Sequence, residues 1–392
     1  MRDFKKCPDG SINADAAPEG AGEPAGTAGR ATGGAGKAAG TAGEMTGAAE
    51  KLPDLAEAKV PDSAERKGRR FPGKNILQIA AFWGILLLIL SILTGVFVNA
   101  GFGNHTLLHQ KLKYLFRVQQ EPENTLDLIV LGNSLSYTSV IPMQLWSESG
   151  ISAYDVGHSG QSMQEAYETL KVILKTQKPK VVLLEAQLLF WGADGTSGWV
   201  DQLNTWLDFH VPLYHIHDLW KSFLMGKQYL EAAYKGYVLR DNVAPYTGGE
   251  YMTDEGETED FAHLIEKDLD NMLSLCAENG IRLVLFSTAS PANYTCARVS
   301  RIREYAEEHG IDYIDFNAPE MREAIGLDWN EDALDGGDHL NYTGAVKLTA
   351  YMAAWLKENC ELSDHRGDES YASWNELAEQ FYREVEKSRS KN

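Results

Sequence analysis

Positions 76–98 read ILQIAAFWGILLLILSILTGVFV, 23 residues without a charge. A helix rises about 1.5 Å per residue, so this run spans roughly 35 Å, against a bilayer core of about 30 Å. A single membrane-spanning helix over residues 75–99 is therefore expected. The competing readings are a buried core helix and a cleavable signal peptide, since Val98-Asn99-Ala100 loosely resembles a cleavage site. The run is longer than a usual signal core, and a long segment precedes it. Arg66, Lys67, Arg69, Arg70 and Lys74 lie just before the helix, and the next basic residue after it is Lys111. The positive-inside bias then places the N-terminus in the cytoplasm and residues 99–392 outside. The expected product is a single-pass cell-membrane protein with an extracytoplasmic C-terminal domain.

The segment before the helix has a different composition. Residues 20–43 hold 9 Gly and 8 Ala in 24 positions, and no aromatic. Such a stretch cannot bury enough apolar surface to offset chain entropy, so residues 1–74 read as a disordered Gly/Ala-rich cytoplasmic tail. The formal net charge is −20. A balance this acidic argues against nucleic acid as a partner, because phosphates need a positive face. Four cysteines, Cys7, Cys276, Cys296 and Cys360, are too few for a disulfide scaffold, and none form a C-x-x-C pair.

Beyond residue 100, strands alternate with helices. Leu126–Gly132, Ile151–Val156, Val181–Glu185, Ile281–Ser287 and Tyr313–Phe316 read as short buried strands. Between them, Ser162–Thr176 opens on a capping-box pattern, Ser162 with Glu165. Phe261–Asn279 and Arg298–His309 are helical and each is followed by Gly, and Thr343–Asn359 is a last long helix. This alternation implies an α/β fold, a parallel sheet covered on both faces. Residues 190–255 interrupt the rhythm with Trp191, Trp199, Trp206 and Trp220. An insertion of that length in a compact domain is a helical subdomain or a cap over a binding site. Residues 363–392 read as a polar tail with a helical tendency. His210, His215 and His217 cluster in the insertion, but lack the fixed carboxylate spacing a metal centre needs.

Three short blocks could carry chemistry. Leu131-Gly132-Asn133-Ser134-Leu135-Ser136 follows the first strand, where a serine hydroxyl would project into the crevice above the sheet. Asp335-Gly336-Gly337-Asp338-His339-Leu340-Asn341 precedes the last helix. A histidine with an aspartate nearby is what a hydroxyl nucleophile requires, one group to take the proton and one to hold the ring. Gly157-His158-Ser159-Gly160-Gln161-Ser162 follows the second strand, and backbone N–H groups there can hold a developing oxyanion. Taken singly, each block is also what an ordinary turn or capped loop looks like.

Together the three blocks resemble the SGNH (GDSL-like) hydrolase family over roughly residues 125–360. The wording GNSLSYTSVIP and DHLNYTGAVKLTAYM is similar to membrane-anchored members from Gram-positive bacteria, akin to teichoic acid D-alanyl-transfer and alginate O-acetylation proteins. The resemblance implies a three-layer sandwich over residues 100–362. It implies Ser134 as nucleophile, His339 as base, and an oxyanion hole from the backbone of Ser134 and Gly160. It calls for no metal or other cofactor. The sequence departs from the family at three places. Asn133 stands where the common motif has Asp. Glu185-Ala186-Gln187-Leu188-Leu189 replaces the usual G-x-N-D block, leaving the Gln187 amide as a substitute oxyanion donor. The position three before the histidine is Gly336, so the orienting carboxylate is Asp335 or Asp338, with Asp335 preferred because a neighbour in sequence turns back poorly onto the ring.

The implied activity is that of a serine esterase or O-acyltransferase on acyl esters of a cell-surface polysaccharide or teichoic acid-like polymer. A membrane-bound acyltransferase would be the matching partner. The alternative, from a different class, is a non-catalytic SGNH-like domain that binds glycan or supports an envelope-assembly complex.

Overall fold

The computed structural model describes residues 73–103, 113–192, 194–211, 234–253 and 258–390. The tail before residue 73, together with His215, His217, Trp220 and Cys7, lies outside the described residues. The chain divides into two units, Met1–Phe82 and Trp83–Asn392. The described part of the first is the beginning of helix α1 (Gly73–Gly103), whose segment Ile76–Gly95 has a mean hydropathy of 2.6. That segment is long and apolar enough to cross a membrane.

Among its described residues the second unit contains five strands, β1 (Leu128–Leu131), β2 (Ala153–Asp155), β3 (Val181–Glu185), β4 (Arg282–Ser287) and β5 (Asp312–Asp315). They form one parallel sheet in the order β2-β1-β3-β4-β5. The sequence expectation of an α/β fold with a parallel sheet and flanking helices is met. Because side chains alternate across a strand, the sheet has two apolar faces. Leu128, Val130, Leu183, Val284 and Phe286 share one core with Leu348, Met352 and Leu356 of helix α10 (Tyr342–Asn359). The other face carries Ile129, Leu131, Val182, Leu184 and Leu285, all buried, and helices α5 (Met163–Ile173) and α7 (His263–Glu278) pack on each other there.

Local chemistry fixes the element ends. Ser162 and Glu165 close a reciprocal capping box at the start of α5, as the sequence pattern implied. Helix α2 (Lys113–Val118) precedes β1 and two short helices follow it: α3 (Ser134–Ser139) and α4 (Pro142–Ser149), the latter opened by Pro142 and closed by Gly150 in the left-handed region. The insertion contributes α6 (Gly195–His210), and α8 (Cys296–His309) and α9 (Pro319–Ala324) flank β5. The segment read from sequence as a polar tail with a helical tendency contains α11 (Ala372–Arg389). Its Trp374, Ala378, Phe381 and Val385 are buried, and Trp374 packs 5.2 Å from Trp146 of α4. Those four positions recur at helical spacing, so the helix belongs to the folded domain despite its polar composition. Cys276, Cys296 and Cys360 are not joined in disulfides.

Candidate active site

The serine turn is built by steric necessity. A Cβ on Gly132 would lie 2.6 Å from that of Ser136 and 2.7 Å from that of Glu185, so only glycine lets β1 turn straight into α3. Asn133 caps the new helix, its Oδ1 accepting the Leu135 N–H at 2.9 Å. Ser134 is the first residue of α3 and keeps its side chain half-buried at the end of the strand.

The histidine loop reaches the same point from the far end of the chain. Gly336 and Gly337 take φ values of +76° and +100°, which curl the loop back on itself. The Gly336 N–H donates to the Ala244 carbonyl at 2.9 Å, and the Gly337 carbonyl accepts the Ala292 N–H at 3.1 Å. Asn341 then caps α10 through the Thr343 and Gly344 N–H groups. Held this way, His339 Nε2 lies 2.7 Å from Ser134 Oγ. Its Nδ1 lies 2.7 Å from Asp335 Oδ2, while Asp335 Oδ1 accepts the His339 backbone N–H at 2.8 Å. Asp338 Oδ2 stands farther off, 3.5 Å from Nδ1.

This geometry lets Nε2 take the serine proton while Asp335 holds the ring and balances its charge. Asp335, Asp338 and His339 are also the one cluster among the described residues whose ligand atoms fall within 4.8 Å. A cation bound there through Nδ1 would displace the proton that Asp335 accepts, so metal ligation and base chemistry exclude each other at this histidine.

The candidate oxyanion groups are placed as follows. Among the described residues, no acceptor takes the backbone N–H of Ser134 or of Gly160. Gly160 sits at φ +69° in the loop that leads into α5, and the Trp191 ring would lie 3.5 Å from a Cβ placed there. Gln187 is buried and its amide is largely engaged. Its Oε1 accepts from Asn133 Nδ2, and its Nε2 donates to Asn293 Oδ1 at 3.2 Å. Sequence reasoning missed two neighbours. Tyr137, one turn after the serine, faces the side chains of Ser159 and Ser134, and burial raises its hydroxyl above the usual range. Asn293 donates to Asp338 Oδ1 at 2.6 Å. The Ser134-plus-three spacing could have flagged Tyr137, but nothing in SPANYT marks Asn293.

Two further features surround the site. Beneath it, Glu185 is fully buried, and burial pushes its carboxyl up to about 7 against hydrogen bonds from Tyr294, Gln187 and Thr288. Beside it, a cavity of about 480 Å³ opens between α5, α6 and α7, with Gly160 and Trp191 in its wall. Among the described residues its lining includes Asp201, Asp208 and Asp268 but no lysine or arginine. Burial pushes Asp268 up to about 6. Trp191 is half exposed, whereas Trp199 points to solvent outside the cavity. His210 lies apart from this centre, stacked on Trp206 at 4.9 Å.

No family model matches the chain, and no curated protein matches it. Among solved structures it is similar to a GDSL-like lipase from Bacteroides thetaiotaomicron, with 12% identity over 63% of this chain and 97% of that one and a TM-score of 0.33. It is also similar to a psychrotrophic esterase from Pseudoalteromonas sp., with 13% identity over 59% and 97% and a TM-score of 0.33. A third is an acetylxylan esterase from Geobacillus stearothermophilus, with 14% identity over 60% and 94% and a TM-score of 0.32.

Proposed function

We propose that this protein is a membrane-anchored SGNH-type serine esterase or O-acyltransferase that works on acyl esters of a cell-surface polymer, such as an acylated polysaccharide or teichoic acid-like chain. The observation that carries the reading is the continuous hydrogen-bond path Ser134–His339–Asp335, with 2.7 Å at each link to the ring. Serine alone is a weak nucleophile at neutral pH, and this path supplies the base and its support.

In the proposed cycle Ser134 Oγ attacks the acyl carbonyl as its proton passes to His339 Nε2. The oxyanion that forms takes the N–H groups of Ser134 and Gly160, with Gln187 left at most one N–H to contribute. His339 returns the proton to the departing alcohol oxygen, and the acyl group stays on Ser134. Water or a sugar hydroxyl, deprotonated by the same nitrogen, then releases it. Water gives an esterase and a hydroxyl gives a transferase, in which case a membrane-bound acyltransferase is the matching source of acyl groups. The acid-lined cavity beside Gly160 suits an uncharged or cationic portion of the substrate and repels anions.

Helix α1 is the anchor in this reading, with the Arg66–Lys74 cluster cytoplasmic and the site outside. Hydrolysis of 4-nitrophenyl acetate by the detergent-purified protein tests the chemistry. Turnover that Ser134→Ala abolishes supports it, and turnover equal in that variant rejects it. Protease applied to intact cells tests the anchor, since full protection of the C-terminal domain contradicts the topology.

A further inference from the structure

Four hydrogen bonds join the serine turn to the histidine loop through three side-chain amides. Leu135 N–H donates to Asn133 Oδ1 at 2.9 Å, and Asn133 Nδ2 donates to Gln187 Oε1. Gln187 Nε2 donates to Asn293 Oδ1 at 3.2 Å, and Asn293 Nδ2 donates to Asp338 Oδ1 at 2.6 Å. The second hydrogen of Asn293 Nδ2 goes to Ser290 Oγ at 2.8 Å, and that hydroxyl donates to the Asp338 carbonyl at 2.6 Å. Every bond in the chain runs in the same direction.

The direction is forced from both ends. A backbone N–H can only donate, so Asn133 must turn its oxygen to Leu135 and its nitrogen to Gln187. A carboxylate can only accept, so Asn293 must turn its nitrogen to Asp338 and its oxygen to Gln187. Both constraints give Gln187 one orientation, oxygen toward Asn133 and nitrogen toward Asn293. Amides in series polarise one another, and here the negative end is the carboxylate beside the imidazole.

We infer that Asn133, Gln187 and Asn293 form a positioning relay for the proposed acyl-transfer site. The relay holds Asp338 with its free oxygen toward His339 Nδ1, as a second carboxylate behind the imidazolium, and it locks the histidine loop to the serine turn. It also accounts for two departures from the family pattern, since Asn133 and Gln187 are the amides the relay requires. This inference rests on the reading of Ser134 and His339 as nucleophile and base.

The relay makes a compensation expected across 205 positions. Asn133→Asp presents oxygen to the Gln187 oxygen. Gln187 must then flip, Asn293 must flip in turn, and the Asn293 oxygen faces the Asp338 carboxylate. Asp338 is pushed off its station. Asp338→Asn, placed in that background, restores a donor facing the flipped Asn293. The test measures the rate of Ser134 labelling by a fluorophosphonate against pH, for the full-length protein, both single variants and the double variant, with urea unfolding in parallel. Each variant adds or removes one carboxylate, so the comparison is the coupling within the cycle, not any single rate.

The expected result is that Asn133→Asp slows labelling and moves the acid limb of the pH profile, and that Asp338→Asn in that background recovers about tenfold. Asn293→Ala, which cuts the relay without adding charge, should move the acid limb in the same direction as losing Asp338. Additive effects in both labelling and unfolding overturn the relay. Wild-type protein that fluorophosphonate does not label rejects the serine-enzyme reading instead, and coupling in the unfolding cycle then still decides whether the amides are connected.

Discussion

Replacing Asp335 by asparagine should harm the proposed activity more than replacing it by alanine, although asparagine is nearly the same shape. Asp335 makes two bonds to His339, one through each oxygen. In Asp335→Asn the oxygen stays with the backbone N–H, because that group can only donate, and the new NH₂ faces Nδ1. It donates to Nδ1 and so drives the ring proton onto Nε2. Nε2 then cannot accept from Ser134 Oγ. Trapping the wrong tautomer costs roughly 10³–10⁴-fold in serine enzymes of this logic, or ~4–5.5 kcal/mol. Asp335→Ala removes the support without imposing a tautomer, and Asp338 Oδ2, 3.5 Å from Nδ1, can close in. Its cost is that of losing about one charge-assisted hydrogen bond, about 1.5–3 kcal/mol or roughly 10- to 150-fold. The assay is kcat/KM for ester hydrolysis with both variants, alongside melting temperatures to exclude unfolding. A larger loss in the alanine variant than in the asparagine variant would falsify the assignment of Asp335 as the group that sets the tautomer.

Other consequences are open to direct measurement. Burial raises Glu185 from its ordinary 4.5 to about 7, and raises Asp155 and Asp315 in the same direction. The folded state therefore binds more protons than the unfolded one between about pH 4.5 and 7, so stability should fall as pH rises through that window. The Glu185 contribution is at most roughly 3 kcal/mol, and a urea midpoint that rises from pH 5.5 to 7.5 contradicts this. Phe381→Ala in α11 empties a fully buried site and should cost about 3–5 kcal/mol in urea unfolding; a change below about 1 kcal/mol means the helix is not part of the domain core. Gly132→Ala should reduce both folding stability and Ser134 labelling, because its Cβ meets Ser136 and Glu185 below 3 Å, and wild-type behaviour in that variant shows the turn can give way. Asp201→Asn with Asp208→Asn should narrow the gap in kcat/KM between a neutral and an anionic ester of equal size, and an unchanged ratio argues against the cavity as the substrate's seat.

Local patterns carried the fold well where one residue type determines one geometry. The Ser162–Glu165 pair defines a helix start by itself, and runs such as Val181–Glu185 are too short and apolar to be anything but buried strand. The serine and histidine blocks were legible because each sits at a strand end or helix start that needs its own unusual residues, Gly132 in one and the Gly336-Gly337 pair in the other. What escaped was information held in tertiary contacts. Asn293 sits in a loop after β4 with no local signature, and its role exists only because Gln187 and Asp338 arrive from elsewhere. Gln187 could be flagged as an amide near the site, but not which partners its two ends would take. The helical tendency of α11 was legible, but not its place in the core, because polar residues dominate its composition while only four buried positions carry the period.

The central claim is that Ser134 becomes acylated with His339 as its base. Peptide mass mapping after rapid acid quench of the protein mixed with 4-nitrophenyl acetate reads this directly. The account expects an acetyl adduct on the peptide containing Ser134, formed within the burst of nitrophenol release, lost on longer incubation, and absent in His339→Ala. An adduct on a different residue, or turnover with Ser134 never modified in the wild type, would contradict it.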